Sequence, residues 1–284
     1  MRILKRNMRL LAVLFMAVIM SGVVYATAQA EVVVRVGGAG SGLGVMKIIA
    51  EAFEKSHPDI KITVMPNLGS SGGIKALLHG AVDVAISGRA LKAEELKGGA
   101  VAVECARTPF VFVTNKNVDK ADLTTRELEA IYAGQQLTWP DGTRIRLILR
   151  PAGDTDTTIV SSISKGMEQA VKAANARQTM ILAVTDQEAV DMVSKTPGAL
   201  SGSTLTQIET EKHPVKVLSY NGIKPTSETL ATRSYPLVKP IYLVSTPKTS
   251  APALQFVQFV RSARGRAILA KSGALPHAGN KRTK

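Results

Sequence analysis

The chain has 284 residues, 45% hydrophobic and 20% charged, enough for two modest globular domains. A single cysteine, Cys105, excludes a disulfide framework within one chain. The balance is strongly basic, 36 Lys+Arg against 22 Asp+Glu, but aromatics are only 4% and the basic residues are scattered, which argues against a nucleic-acid surface.

Lys5, Arg6 and Arg9 precede the apolar run "LLAVLFMAVIMSGVVY" and then "ATAQA". This order reads as a secretory signal over residues 1–30, cut after Ala30. The run is shorter than the ~20 residues a membrane span prefers; the alternative is an uncleaved anchor. No later stretch is long and apolar enough to cross a bilayer, so we expect a soluble exported protein, placed in a bacterial periplasm. The leader would remove Arg2, Lys5, Arg6 and Arg9 and no acids, leaving 32 basic against 22 acidic residues, or +10. That surplus draws small anions or keeps the surface soluble.

Val32 to Val36 reads as a buried strand running into "GGAGSGLG". Val45, Ile48, Ile49, Ala52 and Phe53 then share one helical face, stopped by Pro58. "IKITV" alternates as a strand, "NLGSSGG" opens a short helix "IKALLHG" with Gly80 as its C-cap, and "VDVAISG" is the next strand. This alternation is the grammar of an α/β sheet. "VAVECARTPFVFVTN" holds two strand candidates, with Cys105 as a buried inert thiol. "TTRELEAIYAG" is a helix in which Thr124 and Glu127 have capping-box spacing. "RIRLILR" is a strand, "TIVSSISKGMEQAVKAAN" one helix, and "TDQEAVDMVSKTPGAL" a helix broken at Pro197-Gly198. "VKVLSY" and "PLVKPIYLV" are strands. "APALQFVQFVRSARGRAILAKSG" is a closing helix with Pro252 at N1, and the tail "NKRTK" is expected to be disordered. Tyr132 and Trp139 are expected to fill core. No repeat or linker separates domains, so the chain is expected to cross between lobes more than once.

Three turns follow strands and precede helices: Gly40-Ser41-Gly42, Gly69 to Gly73, and Arg150 to Thr157. A helix start carries unpaired N–H groups and about half a positive charge, which suits an anion. "SGR" at Ser87 to Arg89 ends another strand, and open α/β sheets bind ligands at such strand ends. One such turn is ordinary punctuation; three with a fourth strand end point to a shared anion site.

Competing chemistries are weaker. "GAGSGLG" lacks the spacing of a dinucleotide fingerprint. "GSSGG" matches the nucleophile turn of a serine hydrolase at Ser71, with Asp154, Asp156, His213 and His277 downstream. The helix after it is short, however, and both histidines read as solvated loop residues. His57 and His79 are isolated, and the Asp154/Asp156 spacing lacks the later acids of a calcium loop, so no metal or cofactor is expected.

"GSSGGIKALLHGAVDVAISGRALKAEE", followed by "LEAIYAGQQLTW", "RPAGDTDT" and "YPLVKPIYLV", resembles the phosphate-binding proteins of bacterial ABC transporters, in matching order over nearly all of the mature chain. The resemblance implies an α/β, two-lobed periplasmic binding protein fold of type II. Each lobe would be a mixed sheet flanked by helices, with two crossing strands as hinge, one near Phe110 to Asn115 and one from Tyr235. Lobe 1 would comprise residues 31–113 and 237–284, and lobe 2 residues 114–236. The resemblance places the ligand against Ser41 and Gly42, Ser70, Ser71 and Gly72, Ser87 with Arg89 close by, and Arg150. Asp154, Thr155 and Asp156 stand where the family has Ser-Gly-Thr, which leaves the choice of anion open. The implied partners are inorganic phosphate and an ABC permease, for a monomer that does no chemistry. Sulfate, molybdate or tungstate as ligand, or a sensing role, are the alternatives.

The two aspartates decide between anions. An ionised carboxylate can only accept hydrogen bonds, so it repels a fully deprotonated oxyanion but binds one that carries a proton. Either Asp154 or Asp156 accepts the P–OH proton of phosphate, or both turn away to cap the next helix and hold Arg150.

Overall fold

Val34 and Val36 alternate inward along the first strand, β1 (Val32–Gly38). The computed structural model describes residues 31–177 and 180–277; the expected signal over 1–30 and the tail 280–284 lie outside the described residues. β1 pairs in parallel with β2 (Ile60–Asn67) and β3 (Val84–Ser87). Parallel neighbours require crossovers, and α1 (Leu43–Glu54) and α2 (Gly69–Leu78) supply them.

After α3 (Ala93–Lys97) comes the long strand β4 (Val101–Asn115). Its first part pairs antiparallel with β11 (Val238–Ser245), and its last part with β8 (Ala199–Thr204). Beyond β8 lie β6 (Arg146–Leu149) and β7 (Ile181–Leu182), both parallel to their neighbours. The order is therefore β2-β1-β3-β11-β4-β8-β6-β7, with β9 (Val215–Val217) and β12 (Leu275–Pro276) also on β4. β5 (Asp122–Leu123) and β10 (Ser219–Tyr220) form a separate parallel pair.

Helices cover these strands: α4 (Thr125–Ala133), α5 (Thr155–Ser161), α6 (Lys165–Ala176), α7 (Asp186–Lys195), α8 (Leu205–Glu211), α9 (Ser227–Ala231), α10 (Ala251–Arg261) and α11 (Ala263–Lys271). One core gathers Val36, Ile49, Phe53, Ile241, Phe256 and Leu269. Another gathers Phe110, Phe112, Tyr132, Trp139, Leu200 and Tyr235. Trp139 and Tyr132 thus fill core, and Trp139 Nε1 donates to Gly198 O at 2.9 Å, which satisfies its one buried donor. Cys105 is buried beside Ala106, and that burial pushes its thiol up to about 11.

Several expected elements differ. The stretch 101–115 is one strand, because Pro109 sits between the β11-paired and β8-paired parts and needs no ladder N–H there. The helix expected from Thr158 divides at Ser162–Ser164, where Ser164 Oγ accepts from Met167 N at 2.9 Å and starts α6. The closing helix divides likewise at Ser262, whose hydroxyl accepts from Gly265 N. Pro252 stands second in α10, after Ala251. β8, a central strand, and α8 follow Pro197-Gly198 where only a broken helix was expected.

Candidate functional site

The turn at Gly40–Gly42 brings the backbone against the start of α7, where Gln187 Nε2 donates to Gly40 O. A methyl at Gly40 would lie 2.2 Å from Asn67 Nδ2 and 2.6 Å from Asp186 Oδ2, so only glycine permits this approach. Ser41 and Gly42 are buried in this turn. α2 begins at Gly69, whose φ of 65° and N–H bond to Asn67 Oδ1 turn the chain into the helix. Ser70, Ser71 and Gly72 therefore occupy its first turn rather than a preceding loop.

The nearby strand end is knitted to this turn. Gly88 N donates to Ser70 Oγ at 3.0 Å, and Ser87 Oγ donates to Arg89 O at 2.7 Å. Arg89 donates to both Glu95 oxygens, at 2.9 and 2.7 Å, and to Ser71 Oγ at 2.9 Å. Those Arg89 bonds hold the Glu95 carboxyl below its usual range. Arg89 is thereby neutralised and braces the Ser71 turn. Ser71's partner is a guanidinium, which offers no base to activate a nucleophile, and His213 faces Glu211 instead.

β6 delivers Arg150 to the start of α5. Asp154 Oδ1 accepts from Asp156 N at 2.8 Å, which makes it the helix cap, and its Oδ2 accepts from Arg150 Nη2 at 3.0 Å. Asp154 thus adopts the capping arrangement and holds the arginine. Arg150 Nη1 donates to Ala183 O at 2.9 Å, its buried Nε has no partner, and the residue lines, with Tyr132 and Asp156, a cavity of about 20 Å³, room for roughly one water. Thr155 opens α5, and Asp156 behind it is 3% exposed, its carboxylate turned onto the ammonium of Lys239.

Lys239 and Asp186 are the site residues that sequence reasoning missed. Lys239, on β11, is 2% exposed and also donates to Asp186 Oδ1 at 3.1 Å. Asp186, first in α7, lies 3.6 Å from Arg150 Nη2 and accepts from Asn67 Nδ2 at 2.9 Å. Next to it, Gln187 Nε2 donates to Gly40 O at 3.1 Å. The signals were present but modest: a lone lysine inside the apolar strand "PLVKPIYLV", and an acid just after a capping Thr185.

Burial and environment separate the two carboxylates. Asp156 is raised to about 6 by burial, which Lys239 opposes and Asp186 and Asp154 reinforce. Asp186 is also buried, but Lys239, Arg150 and the Asn67 amide overcome that and hold it at about 2. Burial disfavours the Lys239 charge; Asp156 and Asp186 outweigh it and hold the ammonium above its ordinary range.

A cleft of about 280 Å³ is lined by Asn67, Ser70, Ser71, Gly72, Asp154, Thr155 and Thr185; of the ionic cluster only Asp154 lines it, while Asn67 and Thr185 adjoin Asp186. It brings the second and third turns together. Ser41, Gly42 and Ser87 are buried and do not line it, and Gly40 lies close enough to Asp186 that a methyl there would clash with the carboxylate. A larger hollow of about 430 Å³, between Leu77 and Ser250, gathers no comparable set of buried charges. Among the described residues no group of three His, Cys, Asp or Glu side chains is placed to hold a metal ion.

The fold is the type II periplasmic binding fold. A Clostridium perfringens protein solved with bound phosphate matches with a TM-score of 0.75 at 24% identity, over 87% of this chain and all of that one. An ABC-type phosphate transport receptor from Vibrio cholerae matches with a TM-score of 0.62 at 20% identity, over 86% of this chain and all of that one. A family model described as a PBP superfamily domain matches residues 25–264, and the chain belongs to that superfamily. The phosphate-binding protein PstS of Borreliella burgdorferi is 26% identical over 257 residues, covering 86% of this chain and 90% of the relative.

Proposed function

We propose that the protein captures inorganic phosphate in the cleft between its two halves and delivers it to an ABC permease after export to the periplasm. Residues 31–113 with 237–284 would form one lobe and 114–236 the other, with β4 and β11 as the crossings on which they close. The observation that carries this reading is the meeting of two helix-start turns, at Ser70–Gly72 and Asp154–Thr155, in one cleft, with the buried Arg150 bonded to the Asp154 that lines it. Neutral donors at helix starts can hold an anion without excess charge. The phosphate-binding relatives, aligned over most of their length, support the choice of anion. Binding without chemistry fits a Ser71 that faces a guanidinium.

Calorimetric titration of the purified protein tests this. One phosphate should bind per chain, more tightly than sulfate, molybdate or tungstate, with no turnover of phosphate esters, and Ser71→Ala should weaken the binding without abolishing it. Tighter binding of another oxyanion, or ester turnover lost in Ser71→Ala, would refute it.

A further inference from the structure

The ionic cluster that reaches the cleft through Asp154 is not a simple anion trap. Arg150 and Lys239 face Asp154, Asp156 and Asp186, so two cations meet three carboxylates and one negative charge is in excess. An added anion raises that excess unless something is neutralised, and in a buried site the repulsion is only weakly screened. The two cations are not equivalent. Arg150 is fastened by Asp154 and by the Ala183 carbonyl. Lys239 is held only through its flexible end, and its stem runs past Gly88, where a methyl would lie 2.7 Å from Cε. That glycine's own N–H belongs to the Ser70 turn of the cleft lining, so the lysine end lies next to the wall a ligand would touch.

Asp156 and Asp186 are unequal too. Asp186 keeps Arg150 and Asn67 if Lys239 moves away. Asp156 would lose its one cation. The charged and titratable groups facing Asp156 are Lys239 from β11, Asp186 from α7, Asp154 at its own helix start, Arg150 from the end of β6, and Tyr132 from α4. Of these only Lys239 pairs with its charge; Arg150 bonds to Asp154 and lies 3.6 Å from Asp186.

We propose that Lys239 is an anion-contacting residue of this cleft, shared between Asp156 and the ligand, so that capture of the anion loads one proton from solvent onto Asp156. The proposal rests on the anion-binding reading above. Formally, the Lys239 ammonium passes from the Asp156 carboxylate to a ligand oxygen, and the carboxylate becomes a carboxylic acid. The cluster then binds the anion with its net charge one unit less negative.

The test is titration of the full chain with inorganic phosphate at about pH 8, in two buffers of different ionisation enthalpy, which reads protons exchanged per ligand. Wild type should take up close to one proton more than Asp156→Asn, and that variant should bind phosphate at least as tightly because Lys239 is left with one carboxylate partner, Asp186, instead of two. Lys239→Met should weaken phosphate about 100-fold or more. Because it strands two buried carboxylates, the double variant Lys239→Met/Asp156→Asn, which restores the charge balance, serves as the folded control and should bind just as weakly. Equal proton uptake in wild type and Asp156→Asn, or binding by the folded double variant as tight as wild type, would overturn the proposal. Phosphate bound by Asp156→Asn but not by wild type would leave Lys239 as the anion contact and overturn phosphate as the cargo. Binding by neither would overturn both.

Discussion

Replacing Asp156 by asparagine isolates a buried carboxylate that is strongly raised from its ordinary value. Its side chain is 3% exposed, and burial with two neighbouring carboxylates raises it from 3.8 to about 6 despite Lys239. Each tenfold change in proton affinity is worth about 1.4 kcal/mol, so the elevation corresponds to about 3 kcal/mol. The sign follows from proton counts. Between about pH 4 and pH 6 the folded chain holds a proton that the unfolded chain has released, so stability falls as pH rises through that window and levels above it. Asparagine cannot titrate, and Lys239 keeps Asp186 as a partner at 3.1 Å. Across the window wild type should therefore lose about 3 kcal/mol relative to Asp156→Asn. Urea unfolding at a series of pH values, in buffers without phosphate so that ligand does not stabilise the folded state, measures the difference. Parallel stability curves for the two proteins would refute the reasoning.

Asp186 should act oppositely: held at about 2, it contributes stability present above the ordinary aspartate value and lost as pH falls towards 2, so acid unfolding of Asp186→Asn should lack that component. Gly88→Ala puts a methyl 2.7 Å from Lys239 Cε, whose ammonium is pinned, and should destabilise by about 1–3 kcal/mol in thermal or urea unfolding while weakening phosphate. Asp154→Ala should be less stable than Asp154→Asn by about 1 kcal/mol, because asparagine keeps the cap to Asp156 N and alanine does not. Cys105, its thiol pushed up to about 11 by burial, should resist a thiol reagent in the native protein and react fully once unfolded.

Where hydrophobic periodicity was strong the sequence was readable. The alternation along "IKITV" and the helical stripe through Ile49 and Phe53 specify β2 and α1 directly. The capping pair Thr124/Glu127 was legible because a cap is a local bond between near neighbours, whereas for Asp154 and Asp156 the sequence left capping and ligand contact as open alternatives. β8 was not, since "ALSGST" is small, polar and buried on both faces, and neither period marks it. Ser164 and Ser262 broke expected helices through single hydroxyl caps that a run of apolar residues conceals. The glycine turns announced the cleft, but its charges come from pairings across 53 and 83 residues, Lys239 with Asp186 and Asp156, which depend on the sheet order placing β11 beside β3 and β4.

That dependence bears on how an anion would be chosen. The chain carries 36 basic against 22 acidic residues, so its surface field gathers anions of every kind. In the ionic cluster that reaches the cleft through Asp154 the balance reverses, with three carboxylates against two cations. Attraction at long range and admission at short range are thus separate steps. Discrimination then falls to hydrogen-bond donors fixed at helix starts, whose geometry is set by Gly40 and Gly69, and to whichever anion can be accommodated without leaving Asp156 charged and alone. Selectivity should therefore change more with substitutions at Asp156 or Lys239 than with any neutralisation of surface lysines, which would alter the association rate instead.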